Sequence, residues 1–236
     1  MVTLALSLVL AAQTRTPSIE DYVQPNLHDV SIIAHILQSN QGELKKIKKD
    51  FGQNYRFDSA SVKYKEPFKL RLDSTIEDTT ITFIYNGARL KISAPGAHIS
   101  SSQDLSSETA RRETALDFGL LVPCLFDGFF DAKFIHMDRE TGDPVFDLTY
   151  VDKGEQARYR IWIDPVHHIT TKREWYNRYG SQLATFYYDH PMEVNGVWLP
   201  TMITVKNTDN KVAGSTRYDN IKVNAGIADS VFATGK

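Results

Sequence analysis

Apolar and polar residues alternate along most of the chain, and this period of two predicts β-strands. Phe68, Leu70 and Leu72 alternate with Lys69 and Arg71, and similar segments follow as far as residue 93. Successive side chains of a strand point to opposite faces, so each segment predicts a strand with one buried and one solvated face. The pattern returns after residue 127, over segments at 146–150, 158–163, 167–176, 182–188, 197–206 and 211–223. The chain is therefore expected to contain roughly ten or eleven strands.

Two Asn-Gly dipeptides mark tight turns between these strands. Asn86-Gly87 and Asn195-Gly196 each separate two alternating segments. Asn-Gly is the strongest short sequence signal for a β-hairpin, because both residues tolerate positive φ angles. Strands that have one polar face and are joined by tight turns form antiparallel sheets. We therefore expect one large antiparallel sheet.

The segment that precedes these strands is expected to form a helix. Val30, Ile33 and Leu37 recur at intervals of three or four residues, which predicts a helix over residues 26–42 that begins at a capping Asn. A Ser-rich segment, 94–107, has no regular period and is expected to form a loop.

A second helix is expected to begin at Glu108, after this loop. Its second half, residues 116–126, is strongly apolar and carries one charge, Asp117. Gly119 and Pro123 interrupt regular helix within this stretch. Breaks of this kind allow local opening, so the stretch is expected to act as a lid.

Together these elements predict an α+β fold, a large curved antiparallel sheet covered by helices. No Pro-rich, Gly/Ser-rich or charge-block linker interrupts the sequence, so we expect a single domain over residues 26–236. The hydrophobic fraction of 42% is enough for a sizeable core.

Charge and cysteine content exclude several functions. The net charge of -2 gives no electrostatic case for binding nucleic acid. The single cysteine, Cys124, lies among apolar neighbours, which favours a small buried hydrophobe over a reactive thiol. No sequence feature calls for a cofactor.

The first residues, MVTLALSLVLAA, form an apolar run that ends in small residues. The run is shorter than the ~20 apolar residues that a membrane span requires, and it is typical of a secretory signal peptide. We therefore expect residues 1–25 to be a signal peptide and a mobile leader, and the protein to be exported to the periplasm or cell envelope. A buried N-terminal strand or helix is the alternative, because no Lys or Arg precedes the run. No transmembrane span is expected elsewhere.

The C-terminal half resembles proteins of the LolA-like superfamily, the bacterial outer-membrane lipoprotein-sorting proteins. The resemblance rests on YDH at 188–190, NGVWLP at 195–200, and RYDNIKVNAGIADSVF at 217–232. IWIDP at 161–165 and KYKEPF at 63–68 are similar to strand ends of the same group.

This resemblance implies a fold and a function. The family fold is an unclosed half-barrel whose apolar concave face is capped by helices, and its carriers shield the acyl chains of lipoproteins that cross the periplasm. Relatives use the same fold in stress-signalling regulators and outer-membrane receptors. A lipid or an acylated lipoprotein is therefore the expected ligand, and an envelope protein the alternative partner.

A set of apolar residues on the inward face of the predicted strands and on the predicted lid is expected to line a hydrophobic cavity. The same pattern is also typical of an ordinary protein core. A large curved sheet with few helices would nevertheless leave part of its concave face open to a ligand. The candidate ligand-binding residues are Tyr64, Leu72, Phe83, Tyr85, Leu116, Leu120, Leu121, Leu148, Tyr159, Ile161 and Phe186.

Known catalytic and metal-binding motifs are absent from the sequence, so no catalysis is expected. His167-His168 is the only histidine pair that suggests a metal, but adjacent strand residues point to opposite faces and cannot easily share one ion. The main hypothesis is a lipoprotein-carrier-like binding protein. The alternative is an interaction or sensor domain that uses the same fold to bind a partner protein.

Overall fold

The computed structural model describes residues 15–235, and this part of the chain contains thirteen β-strands. The signal peptide expected at the N-terminus lies almost entirely outside the described residues. The strands are β1 (Asp29–Ser39), β2 (Ser59–Lys65), β3 (Lys69–Ile76), β4 (Thr79–Asn86), β5 (Arg89–Ala94), β6 (Ile99–Asp104), β7 (Phe130–Met137), β8 (Pro144–Tyr150), β9 (Arg158–Asp164), β10 (Ile169–Tyr176), β11 (Gln182–Val194), β12 (Val197–Asn207) and β13 (Val212–Val223).

All of these strands belong to one antiparallel sheet, in the order β6-β5-β4-β3-β2-β1-β13-β12-β11-β10-β9-β8-β7. Every neighbouring pair but one is consecutive in sequence, because short connections favour hairpins. The exception is β1 with β13, which joins the first and last strands at the centre of the sheet. Two meanders therefore spread from this central pair to the edges at β6 and β7. The large antiparallel sheet expected from the sequence is confirmed, with thirteen strands rather than ten or eleven.

Helical structure is limited to short segments. The α-helix α1 spans Gln41–Ile47, and Asn40 caps it by accepting hydrogen bonds from the backbone of Gly42 and Glu43. No helix in the described range is long and apolar enough to cross a membrane. Short 3-10 helices occupy Ile19–Asp21, Phe51–Tyr55, Pro95–Ala97, Thr109–Arg111, Ala115–Phe118, Pro123–Phe126 and Asp229–Phe232.

The helix predicted over residues 26–42 is wrong, because most of this segment is the strand β1. Val30, Ile32 and Ala34 are its buried apolar residues, and they alternate at a period of two that coexists with the helical spacing in the sequence. Pairing with both β2 and β13 satisfies the backbone on each side of β1. The sequence of this segment is compatible with both a helical and a strand period, and pairing with neighbouring strands selected the strand.

The second predicted helix, from Glu108 to residue 126, is replaced by three short 3-10 helices. Gly119 ends one of them with a φ of 78°, and Pro123 begins the next. A side chain at position 119 would lie 2.6 Å from the Tyr188 ring, so the close approach also requires glycine. The loop predicted over residues 94–107 instead contains the polar edge strand β6.

Both Asn-Gly hairpins are confirmed. Gly87 has a φ of 61° and forms the two-residue connection between β4 and β5 with Ala88, while Asn86 pairs with Arg89 at the end of β4. Asn195 and Gly196 have φ angles of 51° and 76° in the connection between β11 and β12. Positive φ at both Asn195 and Gly196 is typical of the hairpin turn that matches the twist of the flanking strands.

The sheet is strongly curved, as one aromatic contact shows. Phe68 lies in the β2–β3 turn and Phe129 directly precedes β7, and their ring centroids are 4.9 Å apart. Eight strand spacings separate β2 from β7. At about 4.8 Å per spacing, a flat sheet would hold these strands roughly 38 Å apart. The sheet therefore curls into an open half-barrel, whose two meanders come into contact at Phe68 and Phe129.

Irregular segments, rather than two long helices, cover the concave face. We call residues 105–129 the cover segment, and their apolar side chains belong to the same buried cluster as those of the sheet. The leader expected to be mobile up to residue 25 is packed from Ile19 onwards, where Ile19 is 4% exposed and Leu27 is 1% exposed. Buried apolar side chains in both segments anchor them to the sheet.

Candidate functional site

The strand register places the predicted strand residues on one face of the sheet. Tyr64 pairs with Leu70, which pairs with Tyr85, which pairs with Leu90 across β2, β3, β4 and β5. Directly paired residues lie on the same face. Tyr64 also contacts Cys124 of the cover segment, with 3.4 Å between its hydroxyl and the Sγ atom. This face is therefore the concave one.

The other meander contributes the opposite wall. Leu148 pairs with Tyr159 across β8 and β9, and Phe186 on β11 pairs with Arg173 on β10, which pairs with Ile161. The structure thus brings together the strand residues that sequence analysis selected. The alternation alone was enough to select them, because the core-facing positions of a half-buried sheet follow a period of two.

The cover segment contributes Leu116, Leu120 and Leu121, which are at most 2% exposed. Few backbone contacts hold this part of the segment in place. The Gly119 carbonyl accepts from Thr170 at 3.1 Å, and the Leu121 carbonyl accepts from Gln24 at 2.8 Å. Side-chain burial, rather than a hydrogen-bonded ladder, is therefore its main attachment to the half-barrel.

Three residues on the concave face are only partly buried. Leu72, Phe83 and Ile92 are direct neighbours across β3, β4 and β5, and they pack against the edge of the core cluster. The next row along the same strands, Leu70 with Tyr85, is at most 7% exposed. We call Leu72, Phe83 and Ile92 the uncovered row. It is a part of the apolar face that is not fully buried.

An ion pair between the buried Arg173 and the partly exposed Asp117 links the cover segment to the sheet. Arg173 is 5% exposed at its side chain, and its Nη1 donates to Asp117 Oδ1 at 2.7 Å. The guanidinium group also lies 4.4 Å from the Phe186 ring centroid and 5.0 Å from that of Tyr159. Charge and aromatic contacts together compensate for the desolvation of the guanidinium. Asp117 therefore holds the cover segment through a charge as well as through apolar packing.

Sequence analysis missed Arg173, although two signals pointed to it. Asp117 is the single charge in an apolar stretch, and such a charge is usually paired when it is buried. Arg173 also occupies an inward position, two residues before Trp175 in the alternation of β10. A cation at an inward strand position opposite a lone carboxylate predicts an ion pair.

Glu113 is a second carboxyl group of the cover segment, and it lies near Asp117. Burial, with a smaller contribution from the Asp117 charge, raises the pKa of Glu113 to about 8. The Glu113 charge in turn raises the pKa of Tyr85, on which burial has the larger effect. The concave face thus contains an acid that prefers its neutral form near neutral pH.

Cys124 lies in a small polar corner. Its Sγ is 3.4 Å from Glu66 Oε1, and the Tyr64 hydroxyl donates to the same oxygen at 2.7 Å. Burial raises the pKa of the Cys124 thiol to about 12, so the thiol stays neutral at physiological pH. A neutral, 9% exposed thiol is a poor nucleophile.

The histidine pair forms two separate contacts. His167 Nδ1 lies 2.5 Å from Asp164 Oδ2, whereas the His168 ring stacks edge-on against Tyr22 at 6.1 Å. Within residues 15–235, no cluster of three or more His, Cys, Asp or Glu side chains has the arrangement of a metal site.

A cavity of about 450 Å³ lies at one end of the half-barrel, beside the edge strand β7. Sequence analysis did not predict it, because its lining combines the leader with residues distant in sequence. The lining residues are Thr16, Pro17, Ser18, Ile19, Glu20, Phe126, Phe130, Asp131, Ala132, Phe134 and Phe146.

Comparison with solved structures places this fold in a known group. A structure described as an outer membrane lipoprotein-sorting protein domain from Vibrio parahaemolyticus is 14% identical, with a TM-score of 0.59 over 91% of this chain and 92% of that chain. A LolA superfamily protein from Nitrosomonas europaea is 16% identical, with a TM-score of 0.57 over 91% of this chain and 94% of the other. The LolA-like fold indicated by the sequence is therefore confirmed.

Two further matches carry no functional description. A DUF1329 family protein from Desulfovibrio piger is 12% identical, with a TM-score of 0.59 over 91% of this chain and 92% of that one. A family model described as an uncharacterized protein matches residues 130–236. No curated protein sequence matches the chain. At these identities the similarity establishes the fold.

The ion pair between Arg173 and Asp117 predicts a specific pattern of stability. We expect Asp117→Asn to lower the free energy of unfolding by about 2–3 kcal/mol, because it leaves a buried guanidinium without a counter-charge. Arg173→Met combined with Asp117→Asn should cost less than the sum of the single changes. Urea unfolding of the four proteins measures this coupling, and additive effects would contradict it. Asp131→Asn, at an exposed site on β7, should change stability by less than about 0.5 kcal/mol.

Glu113 predicts a pH dependence of stability. Its raised pKa means that the folded state binds the proton more tightly than the unfolded state, so stability decreases as the pH rises from about 4.5 to about 8. We expect Glu113→Gln to match the parent near pH 4.5 and to exceed it by roughly 1–3 kcal/mol above pH 8. Urea unfolding at both pH values tests this. Glu77→Gln, in the exposed β3–β4 turn, is the control and should show no such divergence, and equal pH profiles for Glu113→Gln and the parent would refute the prediction.

Proposed function

We propose that this protein binds a hydrophobic ligand, a lipid or the acyl chains of a lipoprotein, along the concave face of its half-barrel. It acts as a carrier in the cell envelope and performs no chemistry. The observation that carries this proposal is the uncovered row, an apolar strip inside the half-barrel that is only partly buried. The expected substrate class follows from the strip, since an apolar surface recognises apolar chains.

The uncovered row has the dimensions and chemistry of an acyl-chain contact. Leu72, Phe83 and Ile92 lie on three adjacent strands, so they extend over roughly 10 Å across the sheet. Each methylene group that leaves water there contributes about 0.8 kcal/mol. A chain that covers even part of the row would therefore bind with measurable affinity.

The cover segment provides a way to enlarge this contact. Its short 3-10 helices take no part in the ladders between the thirteen strands, and its one bridge to the sheet joins Leu120 to Ile169, so it could move without breaking the sheet. Movement would break the Arg173–Asp117 ion pair and the contacts of Leu116, Leu120 and Leu121. Segments held by few backbone hydrogen bonds belong to the less stable part of a protein, where ligand-binding covers are found.

We extend the proposed ligand contacts to the apolar residues that such a movement would expose. They share the concave face with the uncovered row and belong to one buried cluster with the cover segment. Solved structures with this fold include one named for lipoprotein sorting, which supports the choice of ligand. The proposed contacts are Tyr64, Leu72, Phe83, Tyr85, Leu116, Leu120, Leu121, Leu148, Tyr159, Ile161 and Phe186.

Binding of a fluorescent fatty-acyl probe tests the proposal. We expect the parent protein to bind the probe and Phe83→Ser to weaken binding by on the order of tenfold, because the ring lies in the middle of the uncovered row. Phe83 is only partly buried, so the variant should remain folded. Fluorescence titration gives both dissociation constants, and circular dichroism confirms the fold of each protein.

Tyr179→Ser is the matched control, because Tyr179 is an aromatic residue that is 85% exposed outside the concave face. It should bind the probe as the parent does. Failure of the parent to bind the probe, together with an absence of co-purified lipid in mass spectrometry, would refute the carrier proposal. The fold would be unaffected by that outcome.

We also propose that the protein is exported and that the apolar N-terminal run is removed. The small residues Ala11 and Ala12 follow the run, as at signal cleavage sites. Intact-mass measurement of protein recovered from the envelope fraction should show loss of about the first twelve residues. Recovery of the chain with this run intact in the cytosol would contradict export.

A further inference from the structure

One arginine on the cover segment lies where the two meanders meet. The Arg112 guanidinium carbon is 5.0 Å from the Phe68 ring centroid and 4.8 Å from that of Phe129. Phe68 belongs to the β2–β3 turn and Phe129 directly precedes β7, so Arg112 sits at the seam of the half-barrel. Phe129 in turn contacts Phe130, which lines the cavity beside β7.

Arg112 lacks the partner that comparable arginines have. Within residues 15–235 its side chain forms no ion pair or hydrogen bond, and its Nε is buried without a partner, as is that of Arg173, whose Nη1 however pairs with Asp117. The other buried or half-buried arginines of this part of the chain each pair with an aspartate. These pairs are Arg71 with Asp73, Arg158 and Arg160 with Asp147, and Arg173 with Asp117.

No carboxylate of the described residues forms an ion pair with Arg112. Burial lowers the pKa of Arg112, and the neighbouring Cys124 is a neutral thiol. Glu66 in the same corner accepts its hydrogen bond from Tyr64 instead. Two aromatic rings recover part of the desolvation cost, but a guanidinium group gains most from an oxyanion that it binds in a bidentate manner.

We propose that Arg112 binds the anionic head group, a carboxylate or a phosphate, of the amphiphile whose chain lies along the concave face. This inference rests on the proposed function and specifies the ligand further, as an anionic amphiphile. Phe68 and Phe129 hold the guanidinium plane in place, so that its terminal nitrogen atoms are oriented before the ligand binds. Planar presentation of N–H donors fits carboxylate and phosphate oxygens better than a neutral head group.

Competition between ligands with the same lauryl chain tests this proposal. Laurate, lauryl phosphate, lauryl alcohol and lauryltrimethylammonium displace a neutral fluorescent acyl probe from the purified full chain, each below its micelle concentration. We expect the two anionic ligands to bind at least about tenfold more tightly than the alcohol, and the cationic ligand to bind most weakly. The ratio of laurate to lauryl phosphate distinguishes a carboxylate head group from a phosphate.

Arg112→Gln should remove this preference and leave the affinity for lauryl alcohol within about twofold. Arg111→Gln is the matched control, because Arg111 is adjacent but exposed and paired with Glu108. It should keep the preference for anions. Thermal unfolding adds a second measurement, in which laurate should raise the melting temperature of the parent more than that of Arg112→Gln.

Each outcome of these measurements decides the proposal. Equal binding of laurate and lauryl alcohol by the parent, or an equal loss of both in Arg112→Gln, would overturn the role of Arg112 and leave the proposed function intact. If no lauryl ligand displaces the probe, because the parent binds no acyl chain, both the head-group site and the carrier function are wrong.

Discussion

The pairing of β1 with β13 is the constraint on which the rest of the structure depends. It is the one contact between sheet neighbours that are far apart in sequence, and it joins two meanders that could otherwise form independently. Once they are joined, thirteen strands share one apolar face, and curling is the way to bury that face. The contact between Phe68 and Phe129 is the result, since it closes the distance between the two halves.

The curled sheet explains why the cover segment is irregular. Gly119 and Pro123 interrupt regular helix in the segment that covers the curved face. Short 3-10 helices separated by Gly119 and Pro123 can follow the curve and place Leu116, Leu120 and Leu121 in it. The same irregularity leaves the segment with few backbone hydrogen bonds, which suits a cover that admits a ligand.

Three titratable side chains of the cover segment are each stabilised in a different way. Asp117 is neutralised by Arg173 of the sheet, Glu113 responds to burial by favouring its neutral form, and Arg112 is held by aromatic rings at the seam. Buried charge is expensive in an apolar interior, so each group needs a partner, a proton or a ligand. These three side chains lie within six residues of the cover segment. Through Glu113 the stability of the protein is expected to depend on pH, and through Arg112 on the charge of the proposed ligand.

The sequence by itself determined the class of the fold, most of the strands after residue 55 (not β6 or β7), the two Asn-Gly hairpins and many of the side chains that share the concave face. These follow from local rules, because strand periodicity and turn geometry depend on neighbouring residues only. The tertiary structure decided the rest. Residues 29–39 satisfy two periods, and pairing with β2 and β13 selected the strand. The contacts of Arg173 with Asp117, and of Arg112 with Phe68, join residues far apart in sequence or on separate elements, and no local pattern specifies such distances.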